Sequence, residues 1–189
     1  MKIFITRHGQ TEWNVLGKLQ GHKDIELNQT GRNQAEMVRE KLKDEKIDLI
    51  ITSPLKRAKE TAQIINKGFN TTILEDERLI ERGFGDFEGV TKVELQKRKE
   101  KIPEIGESFN YIKNVSIYNM ETIQDLCKRV YSCLDEITLK YKDKNVLLVT
   151  HGSVSVPVKC YFMQYNLEDL IDREQIEGLK NCEVIEFNI

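Results

Sequence analysis

Three strand-length apolar runs constrain this chain most: residues 2–6 (KIFIT), 47–52 (IDLIIT) and 145–150 (NVLLVT). Runs this apolar suit strands buried on both faces, as in a parallel sheet covered by helices. Between them the apolar residues recur with helical spacing. In residues 30–44, Ala35, Val38 and Leu42 share a face, and Thr30 is a candidate N-cap. Ser53-Pro54 reads as an N-cap followed by proline at the first helical position, with Leu55, Ala58, Ala62 and Ile65 as the buried stripe. Residues 121–141 carry the clearest stripe, formed by Ile123, Leu126, Val130, Leu134 and Ile137. A short strand is expected at 71–74, a helix after Gly152, and a half-buried edge strand at 182–188 (CEVIEFN). This alternation predicts an α/β fold, a three-layer αβα sandwich with a mostly parallel sheet. At 189 residues, without a linker or repeat, a single domain over 1–189 is expected.

The bulk properties exclude several classes of function. The formal net charge is −2, so nothing points to nucleic acid or an anionic membrane as partner. No apolar run approaches the ~20 residues of a membrane span. The opening MKIFITRHGQ breaks off at Arg7 and does not read as a secretory signal. Cys127, Cys133, Cys160 and Cys182 lie far apart, with no CxxC pair, which suits reduced thiols in a cytoplasmic protein. His8, His22 and His151 are not at helical spacing from one another, so no local metal-ligand pair is visible and no metal or cofactor is expected.

Arg7, His8, Ser53 and His151 all follow the C-terminal ends of apolar strands. Open α/β sheets bind ligands along that edge, so these distant segments can meet in one cleft. In Arg7-His8-Gly9, a neutral imidazole can attack phosphorus and hold the phosphoryl group. The adjacent arginine offers donors to phosphate oxygens and disfavours protonation of the histidine. Asn14 can donate an amide N–H to phosphate or cap a turn. Gln20 and Gly21 can border the ligand, and His22 is either another border residue or part of a loop. Arg57 lies in the first turns of a helix that leaves the sheet edge, pointing into the cleft or into solvent. Glu81 opens a glycine-rich loop, ERGFGDFEG, where a carboxylic acid could protonate a leaving alkoxide. Thr150-His151-Gly152 adds a second histidine at a strand end, a core residue or a further donor.

Taken in order, ITRHGQTEWN, LQGHKDIELNQTGRNQA, ITSPLKRAKETA, ERGFGDFEG, METIQDLCKRV, VTHGSV and NCEVIEF resemble the histidine phosphatase superfamily, in its phosphoglycerate mutase-like branch. The match leaves out only about residues 91–118. The resemblance implies a phosphoglycerate mutase-like fold with an antiparallel edge strand. It also implies that His8 is the phosphorylated nucleophile. Arg7, Arg57 and His151 would form the phosphate pocket, supported by Asn14, with Glu81 as proton donor and then base. Gln20, Gly21, Phe84, Glu121 and Gly152 would border the substrate. Three positions depart from the family pattern: Gln10 where Glu is common, Asn28 where Pro or Thr is usual, and Met120 in place of a frequent Gly.

The superfamily holds both mutases and phosphatases. Its glycolytic mutases carry a long insertion after the segment matching Glu81, and the stretch from Glu88 to Glu121 is too short for it. A metal-independent phosphatase acting on a small phosphorylated metabolite is therefore expected, of the broad-specificity or α-ribazole phosphate type. The alternatives are a phosphoglycerate mutase, a non-catalytic phosphate-binding module and, more remotely, a zinc hydrolase. Within 91–118, a solvated helix at 92–101 is expected. Phe109, Tyr111, Ile112 and Tyr118 suggest that part of the rest packs as a lid or a dimer contact, leaving monomer and homodimer open.

Overall fold

A computed structural model describes residues 1–109, 116–166 and 177–189. Five strands form one sheet: β1 (Lys2–Arg7), β2 (Leu49–Thr52), β3 (Thr72–Glu75), β4 (Val146–Thr150) and β5 (Val184–Asn188). Their spatial order is β3-β2-β4-β1-β5. β1, β2, β3 and β4 run parallel, and β5 pairs antiparallel with β1 at the edge.

The strand period of two divides the apolar side chains between two cores. Ile3 and Ile5 of β1, Leu49 and Ile51 of β2, and Val146 and Leu148 of β4 face one side. There they meet Ile123, Leu126, Val130, Leu134 and Ile137 of α6 (Ile123–Lys140) and Val154 and Val158 of α7 (Gly152–Met163). Phe4, Ile50, Leu147 and Val149 face the other side, against Val38 of α2 (Gln29–Lys41) and Ala58, Ala62 and Ile65 of α3 (Lys56–Asn66). This is the αβα sandwich expected from the alternation of strands and helices. A short α1 (Glu12–Val15) follows the β1 edge.

Register brings the polar strand ends level. Arg7 pairs with Thr150 across β1 and β4, and Thr52 pairs with Val149 across β2 and β4. The residues that follow, His8, Ser53 and His151, therefore emerge side by side.

Two helix starts differ from the expectation. Asn28, not Thr30, caps α2: its side chain accepts from the Gly31 N–H at 2.9 Å, and its amide nitrogen donates to Gln10 Oε1 at 3.0 Å. Two of the departures from the family pattern are thus partners. α3 begins at Lys56 rather than at Ser53-Pro54, and the preceding Leu55 contributes no side-chain cap. The carboxylate of Asp24 reaches across to accept from the Lys56 N–H at 2.7 Å, meeting an orphan donor of the first turn from outside the helix. Ser53 is left to other partners.

The 91–118 segment forms α4 (Lys92–Lys101), the expected solvated helix, and α5 (Pro103–Ser108). Leu95 and Ile105 pack with Phe84, Phe87 and Met120 in a satellite cluster separate from the two main cores. Phe109 stacks on Phe84 with centroids 5.9 Å apart, and Tyr118 meets Phe87 edge-on at 5.2 Å. Tyr111 and Ile112 lie outside the described residues. Among the described residues no helix is long and apolar enough to cross a membrane.

Candidate active site

His8 leaves β1 almost fully buried, 1% exposed. Its N–H donates to the Thr150 carbonyl at 2.9 Å, and its own carbonyl accepts from Asn181 Nδ2 at 2.8 Å. The next N–H, of Gly9, donates to Thr61 Oγ1 at 3.0 Å. Glycine is required there, because a Cβ would sit 2.3 Å from the Gly31 carbonyl oxygen. His8 Nδ1 lies 2.7 Å from the Gly9 carbonyl. A carbonyl only accepts, so this contact assigns the ring proton to Nδ1 and leaves the lone pair on Nε2. Burial first, then the charges of Arg7 and Arg57, hold the His8 pKa well below the ordinary histidine value. The ring is neutral, as a nucleophile must be.

His151 is fully buried, with its ring centroid 5.2 Å from that of His8. Its Nε2 is 2.7 Å from Ser53 Oγ, which itself accepts from the Leu55 N–H at 3.3 Å. Among the described residues no other acceptor meets the Ser53 hydroxyl proton, so it is assigned to Nε2, which places the imidazole proton on Nδ1. Burial, followed by the charges of Arg57, His8 and Arg7, also pushes the His151 pKa well down.

Arg57, fully buried at the start of α3, donates to the Lys23 carbonyl at 2.7 Å and the Gly21 carbonyl at 2.8 Å. Burial pushes its pKa down to about 10, against the attraction of Glu81 and Asp24. Arg7 donates from Nη1 to the Leu179 carbonyl at 3.0 Å, and burial likewise lowers its pKa.

Among the described residues, three buried side-chain nitrogens lack any partner: Arg7 Nε, Arg57 Nε and His151 Nδ1. Each belongs to a residue whose charge or ring acts on His8. A buried donor left unpaired costs about 1–3 kcal/mol, so such a cluster is a place to hold a ligand or ordered water. Three donors, two of them on guanidinium groups, call for an oxyanion.

Glu81 is 7% exposed. Its Oε1 accepts from the Arg82 N–H at 2.9 Å and from the Ser153 N–H, at the start of α7, at 3.2 Å. Its carbonyl accepts from His22 Nε2 at 2.9 Å and Arg129 Nη2 at 3.2 Å. Arg129 is itself gripped by Glu121 at 2.6 and 2.9 Å, and the Gly83 N–H donates to the same carboxylate at 3.1 Å.

An open cavity of about 430 Å³ leads in to this cluster. Of the residues singled out in the sequence, Arg7, His8, Asn14, Gln20, Glu81, Phe84 and Gly152 line it. Arg57 and His151 lie outside that lining, fully buried. Gly21 is also outside the lining, and its carbonyl holds Arg57 instead. Glu121 likewise turns away, to Arg129 and Gly83. Asn14 has a second task, because its Oδ1 accepts from the Thr11 N–H at 3.0 Å in the capping box of α1.

Residues 3–189 match the model of the histidine phosphatase superfamily (branch 1). The chain belongs to this superfamily. It is 41% identical over 152 residues to the uncharacterized phosphatase PhoE of Bacillus subtilis, covering 80% of this chain and 72% of that protein. It is also 41% identical over 157 residues to phosphoglycerate mutase-like protein 4 of Arabidopsis thaliana, covering 81% of this chain and 67% of the other. The solved structure of Bacillus stearothermophilus YhfR superposes with a TM-score of 0.87 at 28% identity, covering 100% of this chain and 91% of that one.

Several residues of this histidine phosphatase site escape a sequence reading. Asn181, Thr61, Arg82, Arg129 and Asp24 act through hydrogen bonds to other segments, which leave no periodicity or spacing to detect. All five sit inside segments that carry the family resemblance, which covers their positions without naming their partners.

Proposed function

We propose that the protein is a phosphatase of small phosphomonoesters that works through a phosphohistidine at His8. The observation that carries this reading is the set of three orphaned buried donors around a neutral His8 whose Nε2 is free. Arg7, Arg57 and His151 hold the phosphoryl oxygens, with Asn14 and the backbone at Gly152 beside them. His8 Nε2 attacks phosphorus as the ester P–O bond breaks, and Glu81 gives its proton to the leaving oxygen. Water then attacks the phosphohistidine, the Glu81 carboxylate takes the water proton, and phosphate leaves with His8 restored. Phosphoryl transfer depends chiefly on positioning and on neutralising the equatorial oxygens. Two fixed guanidinium groups and one imidazole N–H supply that here without a metal ion in any step.

The cavity volume, about 430 Å³, lies at the small end of ligand pockets and suits a compact phosphorylated metabolite. Gln20 and Phe84 line its wall, which in this reading places them beside the leaving group. The phosphatase named among the relatives supports hydrolysis; the broad-specificity or α-ribazole phosphate type is the narrower reading we put to the test. The four cysteines are free thiols, in keeping with a cytoplasmic protein.

The test is p-nitrophenyl phosphate hydrolysis in EDTA by the wild-type protein and by His8→Ala. The same enzyme is then run on 3-phosphoglycerate and on sugar, nucleoside and α-ribazole phosphates. EDTA-resistant hydrolysis that His8→Ala abolishes is the expected result. Conversion of 3-phosphoglycerate to its 2-isomer without hydrolysis would replace this reading with that of a mutase.

A further inference from the structure

Arg82 follows Glu81 in the chain, yet its side chain runs away from the cavity and is 1% exposed. Its Nε donates to the Glu121 carbonyl at 2.9 Å, and its Nη2 donates at 2.7 Å to the carbonyl of Ser108, the last residue of α5. The guanidinium carbon lies 5.8 Å from the Phe84 ring centroid and 5.7 Å from that of Phe109, and these two rings stack on each other. A guanidinium is a rigid planar fork, so carbonyls and ring faces held by one such group are fixed relative to one another. On one side of this junction are Ser108 and Phe109, at the end of α5. On the other are Glu81 and Phe84, which line the cavity. The Arg82 N–H also donates to Glu81 Oε1.

We propose that Arg82 is a positioning residue that locks α5 to the Glu81–Phe84 loop, so that this cap sets where the acid and the aromatic wall meet the leaving group. The proposal rests on Glu81 as the proton donor. Its consequence depends on the leaving group. An alkyl oxygen needs the Glu81 proton as the P–O bond breaks, whereas p-nitrophenolate departs readily without one. A simple loss of folded enzyme would lower both rates by the same factor.

The experiment compares kcat for glycerol 3-phosphate and p-nitrophenyl phosphate in the wild type, Arg82→Met, Arg82→Lys and Glu81→Gln. Arg82→Met is expected to lower the alkyl rate by about 30-fold and the aryl rate by only about threefold, the signature of a misplaced general acid. Arg82→Lys keeps the charge but loses the fork, and its ratio falls between. If Arg82→Met does not fold, the ratio in Arg82→Lys decides. Equal losses on the two substrates, or an unchanged ratio, overturn the proposal. A changed ratio in Glu81→Gln with an unchanged one in the Arg82 variants overturns this inference alone. An unchanged ratio in Glu81→Gln, or no turnover by the wild type, removes the acid role and this inference with it.

Discussion

His8 and His151 stand with ring centroids 5.2 Å apart, both buried, and the hydrogen bonds of each assign its ring proton to Nδ1. The two rings differ in what surrounds that proton. That of His8 is tied to its neighbour's carbonyl, which leaves the Nε2 lone pair for the proposed attack on phosphorus. That of His151 has no partner, which makes it a donor waiting for an anion.

Their burial makes stability depend on pH. Both native pKa values are depressed, whereas an unfolded histidine titrates near pH 6.5. Above about pH 6.5 neither state binds the protons, and no penalty arises. As the pH falls below that value, the unfolded chain takes up protons that the native chain refuses, so stability declines until the pH reaches the native values. The Tm is expected to fall steadily between about pH 7 and pH 5, above the range where carboxylates titrate. His151→Ala is expected to flatten that slope in thermal unfolding monitored by circular dichroism.

On the proposed reading, the orphaned donors make the protein an anion receptor before any chemistry occurs. Inorganic phosphate or orthovanadate should raise the Tm, by the equivalent of about 2.7 kcal/mol at a concentration 100 times Kd. Arg57→Met removes a buried donor and charge, and should cancel most of this shift. The same variant should lower kcat by about 10²–10³-fold, as loss of a preorganised donor does elsewhere.

Glu81→Gln keeps the shape of the side chain and removes the acid. Turnover of alkyl phosphates is expected to fall by about 10²–10⁴-fold, and that of p-nitrophenyl phosphate by much less. Steady-state kinetics on the two substrates checks this. A similar loss on both would assign Glu81 to substrate binding instead.

Asp24 caps α3 from a distant loop, one residue ahead of Arg57. Asp24→Ala should therefore cost about 0.5–2 kcal/mol in urea unfolding, the range for a lost N-cap. It should also raise KM, since the cap and the Arg57 guanidinium share that helix start.

Much of this arrangement is legible in the sequence, because strands and the helix faces that cover them obey simple periods. The alternation of Ile3, Phe4 and Ile5 between two cores follows from the strand period, and the α6 stripe from the helical one. The strand ends that carry His8 and His151 follow in turn. What escapes is the side-chain hydrogen bonding. Ser53 looks like a helix cap because serine before proline usually is one, yet Asp24 takes that task and Ser53 orients His151. Glu121 looks like a site residue, yet it grips Arg129 and so holds the Glu81 loop from behind. Neither exchange leaves a trace in local sequence, because each rests on a partner far along the chain, Asp24 and His151 for the first and the Glu81 carbonyl for the second.

The phosphohistidine itself is the most direct thing to look for. Rapid mixing of the wild type with a labelled phosphomonoester, quenching in alkali and peptide mapping would locate any phosphoryl group. The expected result is one phosphoryl group on His8, stable in alkali, lost in acid and absent from His8→Ala. Turnover with no such adduct, an adduct on another residue, or hydrolysis that survives His8→Ala would contradict it.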